Sequence, residues 1–116
     1  MRCYLFANVV VTDRERFAEY LEKVPAIIAQ YGGRYVVRGG AVRPLEGNLN
    51  VERIVILEFP SRDAADSFYH SEEYTPLLKL RMQTVQSQVV IIEALGADYV
   101  AGADGDINLA VHKSRI

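Results

Sequence analysis

The residues best suited to chemistry gather around one predicted strand end and the helix that follows it. Glu58-Phe59-Pro60-Ser61 closes an apolar run, and Phe68-Tyr69-His70-Ser71-Glu72-Glu73-Tyr74 comes shortly after. An imidazole titrates near neutral pH, so His70 suits a general acid or base, and it equally suits capping carbonyls at a helix end. Glu58 shares a strand face with Ile54 and Ile56, where a carboxylate is costly to bury unless paired. Arg38, Arg53 and Arg81 are its candidate partners. Such a pair either fixes helix on sheet or leaves a guanidinium to grip a carboxylate or enolate through two parallel hydrogen bonds. Tyr4, Tyr69 and Tyr74 read either as the walls of one apolar pocket with inward hydroxyls or as core aromatics whose hydroxyls reach the surface. The expectation is therefore a small-molecule cleft between sheet and helices, with His70 and Glu58 as catalytic candidates. Tyr4, Arg38, Tyr69, Tyr74 and Arg81 are its ligand-binding candidates.

Other chemistries find less footing. Gly32-Gly33 and Gly39-Gly40 do not spell a dinucleotide or phosphate-loop fingerprint, because the first pair ends a helix and no Gly-Lys-Ser/Thr follows. Asp104-Gly105-Asp106 lacks the spaced ligands and closing glutamate of a calcium loop, and His112 has no ligand partner at helical spacing. No metal and no cofactor are expected. Cys3 is the one cysteine and falls in a strand, where it reads as a buried inert thiol.

The positioning elements are legible from periodicity. Cys3 to Val11 is apolar on both parities, with Cys3, Leu5, Ala7, Val9 and Val11 on one face and Tyr4, Phe6 and Val10 on the other. Thr12-Asp13-Arg14-Glu15 has the spacing of a capping box. Phe17, Tyr20, Leu21, Val24, Ile28 and Tyr31 then form an apolar helical stripe. Pro25 predicts a kink or short break in that helix, and Gly32-Gly33 its end. Arg34 to Arg38 is a second strand, followed by a loop over 41–50. Glu52 to Phe59 is a third strand, with Arg53, Val55, Leu57 and Phe59 on one side.

Ser61 caps the next helix, which breaks near His70 and restarts with Ser71 as a second cap. Tyr74, Leu77, Leu78, Arg81, Met82 and Val85 line one face of the restarted helix, and Gln88 to Glu93 is a fourth strand. The order βαββαβ is the ferredoxin-like plan, an α+β fold whose antiparallel sheet carries two helices on one face. Domain organisation is read as one domain over 1–95 and a C-terminal extension over 96–116, either a short strand or a mobile tail.

Composition bounds the partners. The chain has 116 residues, half of them hydrophobic, and a formal charge of −2. That balance disfavours a nucleic-acid partner. No run approaches a membrane span, no signal peptide is read at the N-terminus, and a cytoplasmic location is expected. Strands that are apolar front and back, with helices for one side only, call for a second cover. A second copy of the same sheet is the simplest, so a homodimer is expected.

Several motifs carry a family likeness. Tyr31-Gly32-Gly33-Arg34-Tyr35, Arg38-Gly39-Gly40 and Leu45-Glu46-Gly47 resemble the family known as domain of unknown function 1330. So do Glu58-Phe59-Pro60-Ser61 with Ala65, Phe68-Tyr69, Ser71, Tyr74 and Arg81. The likeness spans roughly Met1 to Leu95. It implies a small dimeric α+β barrel of the ferredoxin-like kind, and it implies no activity. Barrels related to it include cofactor-free monooxygenases, muconolactone-isomerase-like enzymes and plain binding or regulatory modules.

Overall fold

The computed structural model describes residues 1–96, and the extension expected over 96–116 lies outside the described residues except for Gly96. Four strands, β1 (Cys3–Val11), β2 (Arg34–Arg38), β3 (Arg53–Phe59) and β4 (Val85–Glu93), form one antiparallel sheet in the order β2-β3-β1-β4. Helices α1 (Arg14–Gln30), α2 (Arg62–Tyr69) and α3 (Thr75–Thr84) supply the second layer. This is the ferredoxin-like α+β plan, with the second helical segment in two pieces.

Both strand faces are apolar, and helix packing decides which of them is core. Cys3, Leu5, Ala7 and Val9 of β1, with Leu57 and Phe59 of β3, are buried against Phe17, Val24 and Ile28 of α1, Ala65 and Phe68 of α2 and Leu77 of α3. The opposite face carries Tyr4, Phe6, Val10, Ile54, Ile56, Val90 and Ile92. Among the described residues no helix covers it, and Val90 and Ile92 are half exposed.

Four local expectations change. Asp13, not Thr12, caps α1: its carboxylate accepts from the Arg16 amide at 3.1 Å. The Thr12 hydroxyl is instead spent on the Thr84 carbonyl, at 3.0 Å, which also accepts the Thr12 and Asp13 amides. Those bonds tie the start of α1 to the α3–β4 junction, and β4 begins directly at Val85 rather than at Gln88. Pro25 does not break α1, which runs unbroken through it. The helix ends where glycine permits: Gly32 takes φ +80°, its amide donates to Ala29, and the Gly33 amide donates to Ile28, a Schellman cap.

The break between α2 and α3 is present. Ser71 holds it, donating to the Phe68 carbonyl at 2.9 Å and accepting from the Tyr74 amide at 3.1 Å. Because α3 starts only at Thr75, Pro76 stands in its first turn, where a missing N–H is harmless. The buried stripe of α3 is Tyr74, Leu77, Arg81 and Thr84, which leaves Met82 exposed.

Candidate functional site

An apolar cavity of about 60 Å³ lies between the sheet and the helices. Its floor is Leu5, Ala7, Val9, Val55 and Leu57 from β1 and β3. Its polar groups are four phenols, Tyr20, Tyr35, Tyr69 and Tyr74, and three guanidiniums, Arg38, Arg53 and Arg81. Among the described residues, its lining holds no carboxylate and no imidazole.

Each polar group arrives by a traceable local cause. Tyr20 belongs to the apolar stripe of α1, and its hydroxyl meets that of Tyr74 at 2.7 Å. Burial, and then the partner phenol, push the Tyr20 hydroxyl far above its ordinary pKa. Burial likewise raises Tyr74 and Tyr35, so all three stand as neutral phenols. Tyr35 faces the cavity opposite Leu57. Strict alternation would turn Arg38, three residues on, to the other side of the sheet. A bulge in β2 between Tyr35 and Val37 resets the register and sets Arg38 opposite Val55. The Arg38 guanidinium then lies 4.5 Å from the centre of the Tyr35 ring and donates to the Leu21 carbonyl at 3.2 Å. Leu21 is the residue whose helical acceptor Pro25 leaves without a donor.

Arg81 is the deepest of the cations, only 5% exposed. Its Nη1 donates to Ser87 Oγ at 2.6 Å and its Nη2 to the Tyr69 hydroxyl at 3.2 Å. Its Nε is buried with no hydrogen-bond partner among the described residues. Burial opposes its charge, and the phenol oxygens of Tyr74, Tyr20 and Tyr69, neutral near pH 7, answer it with dipoles rather than with a full negative charge.

Of the seven residues expected to form the site, the structure brings together Arg38, Tyr69, Tyr74 and Arg81. Tyr4 and Glu58 stand on the opposite face of the sheet. There Glu58 sits in a cross-strand row, accepting from the Tyr4 hydroxyl at 2.8 Å and from Arg34 Nε at 3.0 Å. The Tyr4 bond first, and Arg34 after it, hold the Glu58 carboxyl below the usual range. Its cation is therefore Arg34, not Arg38, Arg53 or Arg81. His70 is the exposed C-cap of α2. Its backbone N–H and its Nδ1 both lie 3.0 Å from the Asp66 carbonyl, and its ring stands edge-on to Tyr69. Sequence reasoning passed over Tyr20 and Tyr35 as site residues and weighed Arg53 only as an ion-pair partner. For Tyr20 a signal existed: a phenol at the centre of a core-facing helical stripe must bring its hydroxyl inside. Cys3 is fully buried, and burial raises its thiol, as an inert core cysteine should be. Among the described residues no cluster of metal-ligating side chains occurs, and no helix is long and apolar enough to cross a membrane.

Residues 2–95 match the family described as Domain of unknown function (DUF1330). The chain belongs to that family. No curated protein matches it significantly. Among solved structures it is similar to a protein of unknown function from Rhodopseudomonas palustris, with TM-score 0.68, 19% identity, and 82% of this chain and 83% of that one covered. It is also similar to a dimeric ferredoxin-like protein of unknown function from Jannaschia sp. CCS1, with TM-score 0.62, 14% identity, and coverage of 81% and 100%. A third is SnoaB, a cofactor-independent oxygenase from Streptomyces nogalater, with TM-score 0.56, 12% identity, and coverage of 85% and 98%. At these identities the likeness is one of fold.

Proposed function

We infer that this member of the family binds a small carboxylate-bearing or aromatic molecule in the helix–sheet cavity, as a homodimer and using only its own side chains. The observation that carries the reading is the convergence of four phenols and three guanidiniums on one apolar enclosure. An apolar space with a few convergent polar groups is the usual form of a small-molecule site. The fold accommodates such use, since the similar SnoaB is a cofactor-independent oxygenase.

A thermal-shift screen across small acids and phenols tests the reading. A ligand at a hundred times its dissociation constant stabilises by about 2.7 kcal/mol, which moves the melting point by several degrees or more in a domain of this size. Absence of any shift across the library overturns it. Sensing and turnover are separated by product analysis on the ligand found, comparing wild type with Tyr69→Phe and Arg38→Met, two residues of the cavity lining.

The homodimer rests on the sheet face that no described element covers, where Phe6, Ile54, Ile56, Val90 and Ile92 stand as apolar neighbours. The Jannaschia neighbour is described as dimeric. Val90 is half exposed in the single chain, so Val90→Glu is harmless to the isolated fold and places two charges in the interface if the sheets pack. Sedimentation equilibrium is expected to give a dimer for wild type and a monomer for Val90→Glu. A wild-type monomer at micromolar concentration removes the proposal. A ligand-free dimerisation module is the second reading, favoured by the same surface and selected if the screen is empty while the dimer is present.

A further inference from the structure

We propose that the ligand of this cavity is a small organic monoanion, with its carboxylate held at Arg81. The inference rests on the cavity being a ligand site and adds the charge and size of what enters.

Charge comes first. Arg81 is a permanent cation, nineteen-twentieths buried, and among the described residues no carboxylate lies within 4.0 Å of it. Its bonded neighbours are a serine and a tyrosine hydroxyl, both neutral. A buried charge without an opposite charge is costly, and the lining adds Arg38 and Arg53 without a single acid. The enclosure is thus positive and apolar, a combination that favours an entering anion and concentrates it. Arg38 is partly committed to the Leu21 carbonyl and the Tyr35 ring, while Arg81 alone has a buried donor, Nε, with nothing to bond. A carboxylate oxygen on that N–H completes the guanidinium's hydrogen bonding and its charge balance together. In the Tyr20–Tyr74 hydroxyl pair one proton makes the mutual bond, and the accepting hydroxyl keeps its own as a second donor for the ligand.

Size comes second. A dry cavity of about 150 Å³ admits benzene, and this one measures about 60 Å³. The acid head and a few heavy atoms fit inside.

The test is calorimetric titration of the full chain with acetate, propionate and butyrate, each against its neutral amide, in a buffer free of carboxylates. The acids are expected to bind about tenfold to a hundredfold more tightly than the amides, the range for a buried hydrogen bond to a charged group. Arg81→Met is expected to abolish the preference. Equal binding of acid and amide, or a preference that survives Arg81→Met, overturns this proposal while leaving the cavity a ligand site. Failure of acids, amides and phenols alike overturns both. Should Arg81→Met not fold, nitrogen-detected NMR of wild type gives the answer. One arginine Nε–H resonance, absent from Arg81→Lys, must move on saturation with the tightest acid; its failure to move refutes the assignment.

Discussion

The Arg38 guanidinium donates to the carbonyl of Leu21, the oxygen that Pro25, four residues on, cannot serve. A strand residue thereby repairs a helix defect and is held in the cavity lining by doing so. Arg38→Met is expected to cost about 1 kcal/mol, the net value of one such bond. In a Pro25→Ala background the alanine N–H supplies Leu21, so the same change should cost measurably less. Urea denaturation of the four variants of this cycle measures the coupling. Full additivity would mean that the two residues are not linked.

The Tyr20–Tyr74 hydroxyl pair is buried at 2.7 Å, so removing either oxygen strands the other. Tyr20→Phe and Tyr74→Phe are each expected to destabilise by about 1–3 kcal/mol, and the double variant by less than their sum. Chemical denaturation checks this. Single variants as stable as wild type would mean the bond contributes nothing.

Glu58 titrates below its ordinary range because Tyr4 and Arg34 bond its ionised form. A carboxyl depressed in the folded state adds stability above its unfolded pKa of about 4.3, and that stability is lost as pH falls through the folded value. Glu58→Gln should therefore melt below wild type at pH 7, and the two curves should converge under acid. A gap that persists unchanged to pH 2 contradicts the linkage.

Gly39 holds φ +69°, and a β-carbon there would lie 2.5 Å from Arg53 Nη1. Arg53 can swing aside, so the backbone dominates the cost of Gly39→Ala, about 1–2 kcal/mol. Because Arg53 lines the cavity, the variant should also change the thermal shift produced by any cavity ligand. An unchanged urea midpoint refutes the strain.

Arg81→Met exchanges a buried cation for an apolar chain of similar length. Two bonds to neutral hydroxyls are lost, and the larger penalty of an unbalanced charge goes with them. The ligand-free variant is expected to be at least as stable as wild type in urea. A loss above about 2 kcal/mol would show that Arg81 is structural in its own right.

The legible part of the site follows from which signals are local. Arg81 could be placed on the core face of a helix because Tyr74, Leu77 and Arg81 recur at helical spacing. Glu58 could be placed beside Ile54 and Ile56 by alternation alone. What could not be read was company. Glu58 was grouped with Arg81 and Tyr69, yet the sheet stands between them, and its partners Tyr4 and Arg34 come from two neighbouring strands in one row. His70 likewise adjoins Tyr69 in sequence but is turned outward by its bond to Asp66.

Periodicity determined the βαββαβ order and sorted the residues of β1 and β3 into two faces, without choosing the core face, and capping signals gave the glycine end of α1 and the divided second helix. All of these depend on preferences within a few residues. The tertiary structure alone decided that Pro25 is tolerated, that a bulge at Val36 turns Arg38 toward the helices, and that Arg81 lies buried beside phenols without an acid. Register, bulges and charge pairing are set between segments far apart in the chain, where the energy of the packed whole, rather than the preference of any one stretch, selects the arrangement.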